Sequence, residues 1–194
     1  GGATYFVTAN EGDSREYETL NEAARVAYIT LDPVAFPNAA ELKQLSVLGR
    51  LTVTRVGADT DGDGDFDRLL AFGARSFSIW NERGDLVYDS GDDFERITAA
   101  AYPVDFNSDN RDNFTFDRRS DNKGPEPEGV AIGQVGDRTY AFICLERVGG
   151  VMVYGVTDPQ SPRFVQYVNR RDFAAPTGAA GALACGAISN GRRS

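Results

Sequence analysis

Histidine is missing from all 194 residues. Without an imidazole there is no Ser-His-Asp triad, no Cys-His pair, no His-ligated zinc and no histidine phosphoryl relay. Acid–base work falls to Asp, Glu, Lys, Arg, Tyr or a bound metal. Cysteine is scarce. Cys144 lies in the apolar run Tyr140–Leu145 and Cys185 in a Gly/Ala-rich tail, and the pair reads as two thiols, buried or free, rather than a bridge. No apolar run approaches the roughly 18–20 residues of a membrane span. The chain opens on Gly1-Gly2 without a signal-peptide pattern, which reads as an expression scar or an internal boundary. A Walker loop, a G-x-S-x-G elbow and a paired C-x-x-C are absent as well.

What is present is acid. The 29 Asp and Glu against 20 Lys and Arg leave a formal charge of −9, which argues against nucleic-acid binding and is compatible with cations. With 41% hydrophobic residues a packed core is within reach. Strand patterns run through Tyr5–Ala9, Val26–Leu31, Leu48–Val56, Arg68–Phe72, Ser76–Trp80, Leu86–Asp89, Gly129–Val135, Thr139–Leu145, Val151–Val156 and Arg163–Val168. Turn residues separate them, as in Asn81-Glu-Arg-Gly84-Asp85 and Gly136-Asp137-Arg138. Helices are few: Ala39–Leu45 behind Asn38, Phe94–Ala101 behind Asp92 or Asp93 and stopped by Pro103, and a weaker Glu18–Ala24. The expectation is an all-β chain, with residues 1–173 forming a partial β-propeller of about two to three four-stranded blades. Residues 174–194 read as a poorly packed Ala/Gly-rich tail with an out-of-frame look. The polar stretch Asp105–Gly124 is long for a loop and reads as functional or disordered.

The sharpest motif is Asp59-Thr-Asp61-Gly-Asp63-Gly64-Asp65-Phe-Asp67. Carboxylates at loop positions 1, 3, 5 and 9 with Gly at 6 match a calcium loop, and the Asp65 carbonyl falls at position 7. Leu70 stands where an EF-hand carries its bidentate Glu, and the flanks read as strands, so this is the hairpin form of the loop. Asp59, Asp61, Asp63, Asp65 and Asp67 are therefore the expected ligands of one Ca²⁺, with room for a second divalent ion elsewhere. Asp89, Asp92, Asp93 and Glu95 read as a turn and a helix N-terminus before they read as a metal site. Glu11, Glu126 and Glu128 sit at strand ends, where a propeller would aim them into its channel as ligands or an acid/base pair. Arg15 and Lys123 could orient an anionic substrate such as a phosphoester. Asn113-Phe-Thr115 is a glycosylation sequon.

Taken in order, Tyr5–Tyr17, Leu48–Leu51, Asp59–Asp67, Phe72–Ile79, Ser90–Glu95, Phe106–Ser108, Ser120–Gly129 and Val151–Tyr154 resemble the choice-of-anchor I family of bacterial extracellular proteins. Its relatives include mesenchyme-specific cell-surface glycoproteins and alkaline phosphatase-like chains. The resemblance runs from about Tyr5 to Phe173. It implies a propeller of which this chain covers about half, export to a secreted, periplasmic or cell-surface location, and calcium. A part-propeller exposes strand edges, so association of two or more chains is expected. Two functions follow as expectations. The first is a calcium-dependent hydrolase of phosphoester bonds, with Glu11, Glu126 or Glu128 as ligand or base and Arg15 or Lys123 on the developing charge. The alternative is a non-catalytic extracellular binding or adhesion module that calcium rigidifies.

Overall fold

Alternating apolar residues and β-branching dominate after residue 126, and there the chain runs as four consecutive antiparallel strands. The computed structural model describes residues 2–175. In chain order the elements are β1 (Tyr5–Ala9), β2 (Glu16–Tyr17), β3 (Leu20–Asn21), β4 (Ala23–Arg25), a 3₁₀ turn over Val26–Tyr28, α1 (Ala39–Leu42), β5 (Thr52–Thr54), β6 (Phe77–Asn81), β7 (Leu86–Asp89), α2 (Asp93–Ala101), β8 (Pro127–Val135), β9 (Arg138–Leu145), β10 (Val151–Gly155) and β11 (Arg163–Val168). The all-β expectation with a few short helices holds. The chain divides into two compact units, residues 2–11, 74–119 and 124–175 in the first, and residues 12–73 and 120–123 in the second.

The first unit contains a three-stranded sheet in the order β1-β6-β7 and a four-stranded sheet in the order β11-β10-β9-β8. The second of these is an antiparallel meander, the strand order of a propeller blade. Its register puts Ile132 opposite Ala141, Ala141 opposite Tyr154 and Tyr154 opposite Phe164. One face of the meander therefore carries Ile143, Met152 and Tyr154 into a core shared with Phe77 and Ile79 of β6 and Phe94 of α2. Phe94 and Thr98 lie one turn apart on α2 and are both buried. The Phe77 ring sits 4.8 Å from that of Tyr154. Full burial of a side chain of this size contributes about 1.5–3 kcal/mol. The Tyr154 hydroxyl, otherwise stranded in this core, donates to Asp93 Oδ2 at 2.7 Å.

The second unit is built from shorter pieces. Its core is Ala24, Val26, Ile29, Leu31 and Val53, edged by Phe36, Leu42, Leu51, Phe66 and Leu69. Gly12 and Gly73 press backbone on backbone: a Cβ at Gly12 would lie 2.1 Å from the Gly73 nitrogen, and Gly12 has φ +71°. Only glycine fits there. Asp121 fastens the segment around β5. Its carbonyl accepts from the Thr52 amide at 2.9 Å, and its Oδ2 pairs with Arg25 and Arg50 at 3.1 Å each.

Several local expectations change. Glu18–Ala24 is not helical; Tyr17 and Leu20 close a β2–β3 hairpin and β4 follows at once. Arg68–Phe72 forms no strand, only the single bridge Val53–Ala71. Val26–Leu31 opens as a 3₁₀ turn, because the Val26 and Ala27 amides go to the carbonyls of Leu51 and Gly49 rather than into a ladder. The long stretch Asp105–Gly124 is a succession of turns with Asn107, Ser108 and Asn113 buried. Cys144 is disulfide-bonded, which overturns the reading of two thiols; its apolar strand gave no hint of a bridge. Cys185, and the tail from residue 176, lie outside the described residues. Among the described residues no helix is long and apolar enough to cross a membrane.

Candidate functional site

The acidic loop of the second unit folds on its own side chains. Gly62 and Gly64 take φ of +84° and +97°, reversing the chain where a Cβ would be strained. Their amides donate to Asp59 Oδ1 and Oδ2 at 2.6 and 3.0 Å. The Asp63 and Asp65 amides donate to the carboxylates two residues back at 3.3 and 3.1 Å. These short-range bonds turn Asp59, Asp61 and Asp63 to one centre, where one oxygen from each lies within 4.8 Å of the others. Asp65 and Asp67 turn elsewhere. They form a second group, within the same 4.8 Å, with Asp32. Sequence reasoning passed over Asp32, which stands alone before Pro33. It is brought in by the parallel bridge of Leu31 with Phe66, with Asp32 N donating to Phe66 O at 3.1 Å and Phe66 N to Thr30 O at 3.0 Å.

Electrostatics differ between these two groups. The Asp65 carboxyl is pushed up to about 6, first by burial and then by Asp63, Asp32 and Asp67. Its Oδ1 is shut off from solvent with no hydrogen-bond partner. Asp67 is held below the usual carboxylate range by the Thr60 hydroxyl and amide, at 2.6 and 2.5 Å from its Oδ2. Calcium takes carboxylate oxygens at about 2.3–2.6 Å, so two oxygens on one ion lie no more than about 5 Å apart. Both groups meet that limit. The donor set is all oxygen, and the stranded Asp65 oxygen faces like charges, so the residues present fit a hard cation.

The first unit carries the other gathering of acids. Glu11, Glu126 and Glu146 each offer an oxygen within 4.8 Å of the rest. Glu126 is fully buried at the entry to β8 with φ +51°. Arg119 pairs with its Oε1 at 2.5 Å and Arg147 Nε with its Oε2 at 2.8 Å. Arg147 also reaches Glu146 at 3.2 Å, and Asn110 donates to Glu146 at 3.0 Å. Burial first, then the hydrogen bond with Glu126, pushes the Glu146 carboxyl up to about 7. Two guanidiniums among three carboxyls make a largely self-compensated network around buried Glu126. Sequence reasoning passed over Glu146, because nothing in its neighbourhood paired it with Glu126.

The remaining candidates are Glu128, Arg15 and Lys123. Glu128 is exposed on β8. In the second unit Arg15 grips buried Glu22 through Nε at 2.9 Å and Nη2 at 3.3 Å. The Arg15 amide adds a third bond at 3.0 Å and Thr54 a fourth at 2.8 Å, and Arg15 above all holds the Glu22 carboxyl at about 2. Lys123 is buried and pairs with Asp13 at 3.0 Å. Asp89 accepts from Ser76 and Ser78, and Asp93 from Tyr154, so that acidic patch is a turn and helix start with internal partners. The sequon is closed as well. Asn113, 3% exposed, donates through Nδ2 to the carbonyls of Asp172 and Ala175 at 3.0 and 2.7 Å, and its Oδ1 accepts from Arg171.

The family model of the choice-of-anchor I domain matches residues 1–159. The chain belongs to the choice-of-anchor I family. Gigasin-3a of Magallana gigas is 37% identical over 115 residues, 56% of this chain and 40% of that relative. A mesenchyme-specific cell surface glycoprotein of Strongylocentrotus purpuratus is 28% identical over 109 residues, 50% of this chain and 14% of the relative. The choice-of-anchor I chain thus spans less than half the length of these curated relatives. No solved structure matches it. Family and relatives point to a surface module and overturn the expectation of a phosphoester hydrolase. Glu11, Arg15, Lys123, Glu126 and Glu128, assembled for that reaction from the sequence, fall in two units, Arg15 and Lys123 in one and the three Glu in the other.

Proposed function

We propose that this choice-of-anchor I chain is a non-catalytic extracellular module, secreted or held at a cell surface, whose second unit is stabilised by calcium. The observation that carries the reading is the gathering of Asp59, Asp61 and Asp63 around one centre, with one oxygen from each within 4.8 Å of the others. Calcium there would offset the repulsion of close carboxylates and hold the loop in its native turn. The name of the sea-urchin relative supports a surface setting. So does the disulfide at Cys144, a bond that persists where the surroundings are oxidising.

The test is a thermal melt of the purified chain with Ca²⁺, with chelator, and with Asp61→Asn. Calcium should raise the melting temperature of the wild type and leave that of Asp61→Asn much less changed. Identical melts with calcium and with chelator would overturn the reading.

A further inference from the structure

The first unit presents aromatic rings to water, away from its core. Val104, Phe114 and Phe116 are 75%, 73% and 57% exposed. With Asp105, Phe173 and Ala174 they line an open cavity of about 470 Å³. All six residues belong to the first unit. We propose that this cavity is a docking site for a basic side chain, lysine or arginine, of a partner protein. The proposal is independent of the calcium reading of the second unit.

The backbone beneath the rings is fastened in place. Burial alternates along the segment: Asn113 is buried, Phe114 exposed, Thr115 half-buried and Phe116 exposed. The Thr115 hydroxyl accepts from the Asp109 amide at 2.9 Å and donates to the Asp112 carbonyl at 3.0 Å. The Asp117 amide donates to the Phe106 carbonyl at 2.8 Å, and Arg171 ties the carbonyls of Asp109 and Asp112 at 2.6 and 2.9 Å. Phe114 takes φ +61°, a left-handed backbone that strains a bulky side chain. Strain kept under an exposed ring adds nothing to the core and marks a surface with a use. Phe173 is fixed too, by the ring of Tyr102 at 4.9 Å and the guanidinium of Arg171 at 4.7 Å.

Charge decides the occupant. Asp105 is the one charged residue among the described lining residues. Among the described residues no hydrogen bond or ion pair engages its carboxylate. Arg171 feels that charge but spends its guanidinium on the carbonyls of Asp109, Asp112 and Arg147 and on Asn113. Arg118, two residues beyond Phe116, pairs with Asp112 at 3.6 Å. A carboxylate among three phenylalanines suits a cation on an apolar stem. Aromatic faces attract a cationic head, the carboxylate pairs with it, and the methylenes of the stem cover apolar surface. A neutral apolar side chain would desolvate Asp105 with no partner in return, and an anion would meet its own sign.

The experiment is a titration of the whole chain, in buffer containing calcium, with three capped tripeptides that carry lysine, arginine or norleucine between two glycines. The phenylalanine ring signals are followed by nuclear magnetic resonance. At least one of the basic peptides should shift the rings of Phe114, Phe116 and Phe173. Norleucine, which keeps the stem without the charge, should shift them far less. Asp105→Asn should weaken binding of the basic peptide about two- to five-fold. Equal shifts from all three peptides, or none from any, overturn the proposal. So does an Asp105→Asn chain that binds the basic peptides as tightly as the wild type. Should Asp105→Asn fail to fold by circular dichroism, Phe116→Ala supplies a second readout: weaker binding of the basic peptide supports the site, and unchanged binding overturns it.

Discussion

The two units reach order by different means. In the first, ten residues form the buried cluster, among them Phe77, Phe94 and Tyr154, on strands of up to nine residues. In the second, the buried cluster is five aliphatic residues, none larger than Leu or Ile, and its strands are two or three residues long. What the second unit lacks in apolar surface it replaces with polar fastenings: Glu22 held by Arg15 and Thr54, Asp121 by two arginines, and the Asp59–Asp67 loop by its own amides. Apolar burial is indifferent to pH and ions, whereas paired carboxylates are not. Both units carry paired carboxylates, but the response to calcium is expected in residues 12–73, which hold the acidic loop.

The largest effect should come from the apolar side of the comparison. Phe77→Ala empties the middle of the first core and is expected to cost about 3–5 kcal/mol. Urea unfolding should give the same loss with calcium and with chelator. A loss that depends on chelator would break the contrast. Next comes removal of the calcium proposed for the acidic loop. With free calcium held at a hundred times the dissociation constant, chelation should cost the second unit about 2.7 kcal/mol. Hydrogen exchange should then quicken in residues 12–73 while the amides of β9 and β10 stay protected. Uniform quickening would show that the two units do not differ in this way.

Smaller effects should follow from the perturbed carboxyls. Glu22 sits at about 2 in the folded chain against 4.5 in a free glutamate. The folded state then holds fewer protons than the unfolded one between those values. Its stabilisation is complete above about pH 4.5 and is lost as pH falls towards 2. Glu22→Gln should flatten that limb of a melting-temperature profile. Glu146 has the opposite sign. Its carboxyl is raised to about 7, so the folded state holds the extra proton and stability declines as pH rises from about 4.5 to 7. Glu146→Gln should remove that decline, and a profile unchanged by the substitution would discount the buried network as its source.

Much of the first unit was legible from residue order. The period-two runs after Gly129, the Gly136-Asp137 turn and the Asp-rich start of α2 before Pro103 all reappear as β8, β9 and α2. Local chemistry decides those elements, and local chemistry is what a sequence displays. The second unit was harder for the same reason. Whether Val26–Leu31 becomes a ladder or a turn depends on carbonyls at Gly49 and Leu51, and Glu18–Ala24 has helix-forming residues that tertiary pairing overrides. The acidic loop announced itself because its partners are two residues apart. Asp32 did not, since an Asp before Pro33 looks like any turn, and its approach to Asp65 is set by the pairing of Leu31 with Phe66. Glu146 was hidden likewise, since its approach to Glu126 and Glu11 depends on groups distant in the chain, and the apolar run around Cys144 gave no sign of its bond.

The closed environment of Asn113 bears on how the protein is made. Oligosaccharide is attached to a sequon while the chain is still unfolded, when Asn113 is as open as any other residue. Its amide nitrogen must later give two hydrogens to the carbonyls of Asp172 and Ala175, and a sugar-bearing nitrogen has one. In a eukaryotic expression host the modified fraction should therefore fail to complete the native turn. Intact-mass measurement of the well-folded fraction should find Asn113 bare.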